Sequence, residues 1–118
     1  MRHGDKNRKF GRVKRQRTAL LRSLARSLVL KEGITTTTAK AKALRPYLER
    51  LITVSKKDSI ASRRLVARRL GGASDAVKKL HETLAPRYEK RSGGYTRIVR
   101  LGRVGKRVGD MAKIELIK

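Results

Sequence analysis

The sequence predicts a two-layer α+β fold in which about four helices pack on one side of a small three-stranded mixed sheet. Apolar residues recur at helical spacing in four stretches of the chain, whereas three short stretches alternate apolar and polar residues, as half-buried strands do. The chain has 118 residues, which is the size of one domain with one modest core.

A basic arm, residues 1–17, precedes the predicted single domain, residues 18–118. The arm contains eight Lys or Arg residues against one carboxylate, Asp5, and it has few apolar residues. Such a segment cannot bury enough surface to offset its ordering entropy, so we predict that the arm is disordered in the free protein. The alternative is a tail that only improves solubility, although solubility alone does not require so one-sided a charge.

The first helix is predicted to begin at Thr18, and a short strand follows it. We expect Gly33 to end this helix in the left-handed conformation. The run of four threonines after Ile34 favours an extended segment, because β-branched side chains suit a pleated strand. Thr37 or Thr38 then caps the second helix.

The second helix contains Pro46 inside an apolar pattern that runs from Ala41 to Ser55. A proline within a helix removes one backbone hydrogen bond and clashes one turn back, at a cost of about 3 kcal/mol. Because the pattern continues through the proline, we predict either one kinked helix or two helices that abut at Arg45–Pro46. The sequence leaves both alternatives open.

Two further helices follow. The third is predicted over residues 60–70, with Asp58 or Ser59 as its cap and a pair of glycines behind it. The fourth is expected to be capped by Ser74 and stopped by Pro86, since a proline seldom continues a helix.

Two strands complete the predicted domain, at residues 95–101 and 111–117. A glycine-rich basic loop, residues 102–109, joins them. In the last strand the core-facing positions are the alternate apolar ones, Ala112, Ile114 and Leu116.

The charge of the chain points to a polyanionic partner. Lys and Arg total 33 against nine acidic residues, which gives a net charge of +24 that no fold requires. Self-repulsion at this charge opposes compaction, and separate basic blocks along the chain suit an extended polyanion. Nucleic acid is the first candidate and an anionic membrane surface the second. Charge alone does not separate RNA from DNA, so a DNA-binding, nucleoid-type protein is the alternative function.

The sequence offers nothing for catalysis or metal binding. It has no cysteine, which excludes disulfides, thiolate metal sites and cysteine nucleophiles. Its two histidines, His3 and His81, are isolated, its carboxylates are scattered, and it has no phosphate-binding glycine loop. We therefore predict no enzyme activity, no cofactor, no metal and no small-molecule substrate. Arginines interrupt the most apolar segment, so no membrane span is expected.

The chain is poor in aromatic residues. It has only four, so it lacks the row of exposed aromatics on which a sheet stacks single-stranded bases. Recognition is therefore expected to depend on phosphates and shape. Tyr88 and Tyr95, which have arginines around them in the sequence, are the best candidates for stacking, whereas Tyr47 has the spacing of a core residue.

A set of short motifs occurs along the whole chain. They are MRH at 1–3, RTALLR at 17–22, ITTT at 34–37, AKAKALR at 39–45, APRY at 85–88, RSGGYTRI at 91–98 and IEL at 114–116. In this order and spacing they resemble the bacterial large-subunit ribosomal protein L-seventeen family.

The resemblance implies an RNA-binding structural component of the large ribosomal subunit, near the exit of the nascent-chain tunnel and beside other large-subunit proteins. It also implies an α/β two-layer domain, no cofactor and no catalysis. Because the likeness begins at the first residue, no organelle presequence is expected, which favours the bacterial cytoplasm.

We predict that the folded domain and the arm both bind ribosomal RNA. Arginine suits this role because its planar fork bridges phosphate oxygens and stacks on bases. The folded domain is expected to present chiefly Arg63, Arg64, Arg87, Arg91 and Arg97. The full predicted RNA-binding set is Arg2, His3, Lys6, Arg8, Lys9, Arg12, Lys14, Arg15, Arg17, Arg22, Lys40, Lys42, Arg45, Arg63, Arg64, Arg87, Tyr88, Arg91, Tyr95 and Arg97.

Overall fold

The computed structural model describes residues 13–57, 59–103, 105 and 109–118. The elements in chain order are α1 (Lys14–Lys31), β1 (Gly33–Thr37), α2 (Thr38–Ser55), α3 (Ile60–Arg69), α4 (Ser74–Lys79), a π-helical turn (Leu80–Leu84), α5 (Ala85–Arg87), β2 (Thr96–Gly102) and β3 (Met111–Leu116). The α4 helix, the π-helical turn and α5 follow one another without a break and make up the fourth predicted helix. The predicted two-layer α+β architecture is confirmed.

The three strands form one sheet in the order β1–β3–β2, and both strand pairs are antiparallel. The prediction of a mixed sheet was therefore wrong. β2 and β3 are joined by the short segment 103–110, and a short connection makes neighbouring strands run antiparallel. On the other side of β3, Ile34 of β1 pairs with Ile114 in the same antiparallel sense.

The helices cover one face of the sheet. Ala112, Ile114 and Leu116 of β3 are buried in the core as predicted, while Lys113 between them is exposed on the other face. Fully burying a large apolar side chain stabilises the fold by about 1.5–3 kcal/mol, so the core depends on the helical residues that meet this face. These include Ala25, Leu28, Val29, Leu44, Leu48, Leu51, Ile52, Val66, Leu80 and Leu84.

The first helix begins at Lys14, four residues before the predicted start at Thr18. The backbone N–H of Arg17 donates to Val13 O at 3.0 Å, and Thr18 Oγ1 donates to Lys14 O at 2.9 Å. Lys, Arg and Gln are good helix formers, so the basic residues before Thr18 extend the helix. Lys14, Arg15 and Arg17 are thus helical rather than part of a disordered arm, and the rest of the predicted arm, 1–12, lies outside the described residues.

Glu32, not Gly33, occupies the left-handed conformation that ends α1, with φ of 62°. Its N–H donates to Leu28 O at 2.7 Å, as a helix cap does. Gly33 is instead the first residue of β1 and pairs with Glu115. The predicted cap of the next helix is confirmed, since Thr37 Oγ1 accepts from the backbone N–H of Lys40 at 3.3 Å.

The second helix runs without interruption from Thr38 to Ser55, with Pro46 inside it. Of the two alternatives, one helix rather than two abutting helices is therefore the correct one. Pro46 lies on the exposed side of α2, and so does Lys42, whose carbonyl would otherwise accept the missing hydrogen bond. Water can satisfy a carbonyl at that position, and the apolar face of the helix remains intact.

Ser59 caps α3 as predicted, because its Oγ accepts from the N–H of Ser62 at 3.1 Å; Asp58, the other predicted cap, lies outside the described residues. Ser74 is not the cap of α4. It is the first residue of the helix, and Ala73 occupies the cap position without a side-chain hydrogen bond.

Pro86 does not stop the fourth helix, which continues through Arg87. The π-helical turn that precedes it is closed by a hydrogen bond from the N–H of Ala85 to Leu80 O. A π-helical turn inserts one extra residue, which changes the carbonyl that faces the proline ring. The helix ends one residue after the proline, at Arg87.

Candidate nucleic-acid interface

Ion pairs divide the basic residues of the described chain into two groups. In the first group the positive charge is compensated by a carboxylate within 4.0 Å. The compensated pairs are Arg26–Asp75 at 2.8 Å, Arg45–Glu49 at 3.9 Å, Lys79–Glu32 at 3.2 Å, Arg87–Glu32, Arg97–Glu115 at 2.9 Å and Lys113–Glu115 at 3.5 Å. In each pair the cation already contacts a carboxylate of the same chain, so its attraction to an anionic partner contributes less binding free energy.

The strongest of these contacts surrounds Glu32. The hydrogen bond from Arg87, the largest influence, and the contact with Lys79 lower the pKa of Glu32 to about 2 despite its partial burial. Lys79 also donates to Leu30 O at 2.9 Å. The carboxylate therefore ties the end of α1 to α4 and α5, and Arg87 has a structural role that the sequence does not reveal.

Arg97 has a similar partner on the exposed face of the sheet. Its Nε donates to Glu115 Oε1 at 3.0 Å across the β2–β3 pair, and this hydrogen bond lowers the pKa of Glu115. Opposite-charge pairs on facing strand positions stabilise a sheet. Contact of Arg87 and Arg97 with RNA stays a prediction.

Tyr88 and Tyr95 are not available for stacking on bases, so that prediction was wrong. They are only 3% and 1% exposed, and their ring centroids lie 5.1 Å apart within the core. Tyr88 Oη donates to Ile117 O, while Tyr95 Oη shares a hydrogen bond of 3.1 Å with Thr53 Oγ1. Large aromatic rings contribute most when buried with their hydroxyls satisfied, and arginines nearby in the sequence do not indicate exposure.

The second group of basic residues is not compensated by carboxylates of the described chain. Part of this group lies on α1 and α3, two helices that contain no acidic residue at all. We call it the α1–α3 basic surface, and it consists of Lys14, Arg15, Arg17, Arg22, Arg64, Arg68 and Arg69.

The α1–α3 basic surface brings together residues that are distant in sequence. Arg15 and Arg22 lie two helical turns apart on one side of α1, and Arg64 and Arg68 lie one turn apart on the exposed side of α3. Arg22 reaches the turn after α3, where its Cδ lies 3.5 Å from the position that a Cβ would take on Gly71. The side chain of Arg22 therefore lies beside the C-terminal end of α3.

Arg68 and Arg69 are not in the RNA-binding set predicted from the sequence. The signal was available, because Arg64 and Arg68 have the i, i+4 spacing that places two side chains on the same side of a helix. Their lack of carboxylate partners could not be found in the sequence, since it depends on how α3 packs.

The other predicted residues lie away from this surface. Lys40 and Lys42 are in the first turns of α2, and Arg91 follows α5. Arg91 lines an open groove of 360 Å³ whose basic residues are Arg87, Lys90, Arg91 and Lys118. Lys90 and Lys118 are not in the set predicted from the sequence, because the sequence does not show that residue 118 lies beside α5.

Arg63, a predicted contact, is exposed on α3 and lines a groove of 290 Å³ between α3 and α4, together with His81 and Glu82. The predicted residues Arg2, His3, Lys6, Arg8, Lys9 and Arg12 lie outside the described part of the chain.

Within the described residues, no group of His, Cys, Asp or Glu side chains could hold a metal ion. Among the helices described, none combines the length and the apolar character needed to cross a bilayer.

Comparison with known proteins identifies the family. A family model described as Ribosomal protein L17 matches residues 20–117. The Large ribosomal subunit protein bL17 of Hydrogenobaculum sp. (strain Y04AAS1) is 50% identical over 118 residues, which cover 100% of this chain and 98% of that protein.

Two further relatives have the same name. The protein from Anaplasma marginale (strain Florida) is 49% identical over 122 residues, covering 100% of this chain and 89% of its own length. The protein from Sulfurihydrogenibium sp. (strain YO3AOP1) is 48% identical over 118 residues, covering 100% and 95% respectively. The chain therefore belongs to the ribosomal protein L17 family, whose members are structural constituents of the ribosome and not enzymes.

Proposed function

We propose that this protein is a structural constituent of the large ribosomal subunit that binds ribosomal RNA through phosphate and shape contacts. In this proposal the protein lies near the exit of the nascent-chain tunnel, beside other large-subunit proteins, in ribosomes of the bacterial cytoplasm. The family and its named relatives support the ribosomal part of this proposal. The α1–α3 basic surface is the observation that supports RNA binding.

The α1–α3 basic surface has an excess of positive charge that no carboxylate among the described residues neutralises. Like charges one turn apart on a helix, such as Arg64 and Arg68, destabilise it by about 0.2–0.5 kcal/mol. A phosphate polymer laid across α1 and α3 replaces this repulsion with attraction and releases counterions. The residues of the α1–α3 basic surface therefore contribute more free energy to RNA binding than the residues that already have a carboxylate partner.

The burial of Tyr88 and Tyr95 supports recognition of phosphates rather than bases. The exposed face of the sheet offers Arg97, Val99 and Lys113 to solvent, and none of these is an aromatic ring. A sheet that binds single-stranded RNA usually stacks bases on aromatics. We therefore assign affinity to the helical surface and not to the sheet.

The basic residues of segment 1–12 add further phosphate contacts in this proposal. Six of them belong to the predicted RNA-binding set, namely Arg2, His3, Lys6, Arg8, Lys9 and Arg12. They precede Val13, the N-cap of α1, in the sequence.

The test is a competition experiment with matched variants. The protein is bound to deproteinised large-subunit ribosomal RNA, and duplex DNA of equal phosphate content is the competitor. We expect RNA to be retained against DNA. Arg64→Gln combined with Arg68→Gln is expected to weaken RNA binding, whereas Arg26→Gln, which removes an arginine already paired with Asp75, changes it little.

Equal retention of RNA and DNA contradicts the proposed function and favours the DNA-binding, nucleoid-type alternative. If Arg26→Gln weakens binding as much as the double change in α3, the α1–α3 basic surface is not the main contact.

A further inference from the structure

An open groove of 360 Å³ lies between α5 and the residues that follow β3. We call it the α5 groove. Its basic lining residues, all exposed, are Arg87, Lys90, Arg91 and Lys118. Among the described residues, no acidic side chain lines it. The charged side chains of the α5 groove are therefore all of one sign.

Hydrogen bonds hold the two walls of the α5 groove in place. Tyr88 Oη donates to Ile117 O, and the N–H of Ile117 donates to Tyr95 O at 2.9 Å. On the other wall, the N–H of Arg91 donates to Tyr88 O at 3.0 Å, and Lys56 Nζ donates to Arg91 O. Because these contacts lie within the folded chain, the groove is formed before a ligand binds, which lowers the cost of ordering it.

Arg87 differs from the other three basic residues of the α5 groove. It forms an ion pair with Glu32, and its guanidinium carbon lies 5.9 Å from the centroid of the Tyr88 ring. It therefore forms part of the wall. In contrast, none of the other three has a carboxylate within 4.0 Å among the described residues. We call these three the groove cations: Lys90, Arg91 and Lys118.

The chemistry of the α5 groove favours a phosphate backbone as its ligand. Like charges that line one groove repel one another, and a polyanion replaces this repulsion with attraction. An acidic protein segment would need apolar anchors, because the centre of a protein interface is apolar. The groove has one aliphatic lining residue, Ile117, and the ring of Tyr88 is almost completely buried.

The α5 groove is separate from the α1–α3 basic surface. Arg22 is the last residue that α1 contributes to that surface, and Glu32, which contacts the groove residue Arg87, caps the end of the same helix. A helix advances about 1.5 Å per residue, so the ten residues from Arg22 to Glu32 span about 15 Å. The chain therefore presents basic residues at two places along α1.

We propose that the α5 groove binds the phosphates of a second stretch of ribosomal RNA, so that the protein joins two parts of the RNA. This inference rests on the RNA-binding function proposed above. It goes further because it adds a second contact, made by the groove cations, to the contact made by the α1–α3 basic surface.

The first experiment measures the affinity of the full chain for deproteinised large-subunit ribosomal RNA across a range of salt concentrations. The slope of log K against log salt reports the number of phosphates contacted. The groove variant replaces all three groove cations with Gln, and it is expected to reduce the magnitude of this slope by about 1 to 3. Its melting temperature should not change, because the three side chains are exposed.

A matched control variant loses the same charge elsewhere. It also replaces two lysines and one arginine, all exposed and without a carboxylate partner among the described residues. They lie on α2, after α2 and on α4, outside both the α5 groove and the α1–α3 basic surface. The control is expected to keep a slope close to that of the wild type. Its substitutions are Arg50→Gln, Lys57→Gln and Lys78→Gln.

The second experiment maps which nucleotides each surface contacts. The protein protects the RNA backbone from cleavage by hydroxyl radicals wherever the two are in contact. We expect the groove variant to lose protection at nucleotides other than those lost by the Arg64→Gln, Arg68→Gln double variant. Loss of the same nucleotides by both variants contradicts the inference that two parts of the RNA are joined.

The remaining outcomes separate this inference from the proposed function. If the groove variant reduces the slope no more than the control does, the inference is overturned, while the proposed function stands if the double variant in α3 still weakens binding. If the groove variant binds RNA normally but enters large subunits poorly, the groove holds an acidic protein segment instead. A wild-type affinity that does not depend on salt overturns both the inference and the proposed function.

Discussion

Glu32 shows how one residue can depend on contacts that its local sequence does not contain. A left-handed conformation at a residue other than glycine costs about 1 kcal/mol or more, and the neighbouring Gly33 could adopt it without that cost. Contacts with Arg87 and Lys79 hold the Glu32 side chain in place, and Leu116 donates its N–H to the Glu32 carbonyl. The sequence predicts that the helix ends here, but the residue that ends it is selected by tertiary partners.

Glu32→Gln removes the charge from this contact and should destabilise the fold by about 2 kcal/mol at pH 7. The lowered pKa corresponds to at most about 3 kcal/mol, and partial exposure of the carboxylate reduces this through screening. Because the pKa is about 2 in the folded protein and the reference value is 4.5, the stabilisation is complete above about pH 4.5 and is lost as the pH falls toward 2. Chemical denaturation at pH 7 and pH 3 measures both effects.

The matched control is Glu89→Gln, which alters an exposed carboxylate of the same type that has no ion pair with another described residue. Its free energy of unfolding should stay within about 0.5 kcal/mol of the wild type. If Glu32→Gln and Glu89→Gln destabilise the protein equally, the contacts of Glu32 do not stabilise the fold.

The tyrosines show a second limit of sequence reasoning at this scale. Tyr47, assigned to the core from its spacing, is partly buried against it. Tyr88 and Tyr95, assigned to the surface from their basic neighbours in sequence, are almost completely buried. The helical spacing of apolar residues indicates which side chains are buried. Charged neighbours in the sequence do not show whether a tyrosine side chain itself is exposed.

At the scale of elements, the residue at which a helix begins depends on whether a suitable side chain acts as its N-terminal cap. The sequence provides Ser59 and Ser74 before two apolar patterns, and both are suitable caps by residue type. Ser59 accepts a backbone hydrogen bond at the start of α3. Ser74 does not act as a cap, because α4 begins at Ser74 itself, one residue earlier than expected. Element type was predictable here and the exact terminal residue was not.

Ser59→Ala should therefore destabilise the protein by about 1 kcal/mol, since it leaves the N–H of Ser62 without its cap. Ser74→Ala is the matched control and should have an effect within about 0.5 kcal/mol, because no cap bond is lost. Thermal denaturation of the two variants compares them directly. A larger loss for Ser74→Ala contradicts the assigned helix starts.

The two prolines show what the spacing of apolar residues can and cannot predict about a helix. The apolar spacing around Pro46 continues on both sides, and the helix is continuous. Pro86 lies at the end of its apolar pattern, so the sequence indicated a stop. The helix instead ends at Arg87, one residue later, and a π-helical turn that no residue type specifies precedes this end.

At the scale of the whole molecule, the sequence reports the total charge and the structure shows its distribution. The net charge of +24 predicts a polyanionic partner. Ion pairs give Arg87 and Arg97 carboxylate partners within the chain, whereas the residues of the α1–α3 basic surface have none among the described residues. This division could not be predicted, because most of the pairs join residues far apart in the sequence.

Deletion of residues 1–12 should leave the folded body intact, since the buried core of the described residues begins only at Ala25. The shortened protein is expected to keep its melting temperature and to be incorporated poorly into large subunits, because it lacks basic residues that would contact phosphates. Incorporation is measured by mixing tagged full-length and shortened proteins in cells and comparing their amounts in purified large subunits. Equal amounts contradict a role for this segment in assembly.

The affinity of the full-length protein for deproteinised large-subunit ribosomal RNA between 50 and 200 mM salt tests the central claim most directly. If the uncompensated charge of the folded body and its N-terminal segment contacts six to ten phosphates, affinity should fall by about 10³ to 10⁵ over this range. An affinity that is the same at both salt concentrations contradicts the claim that phosphate contacts hold this protein on RNA.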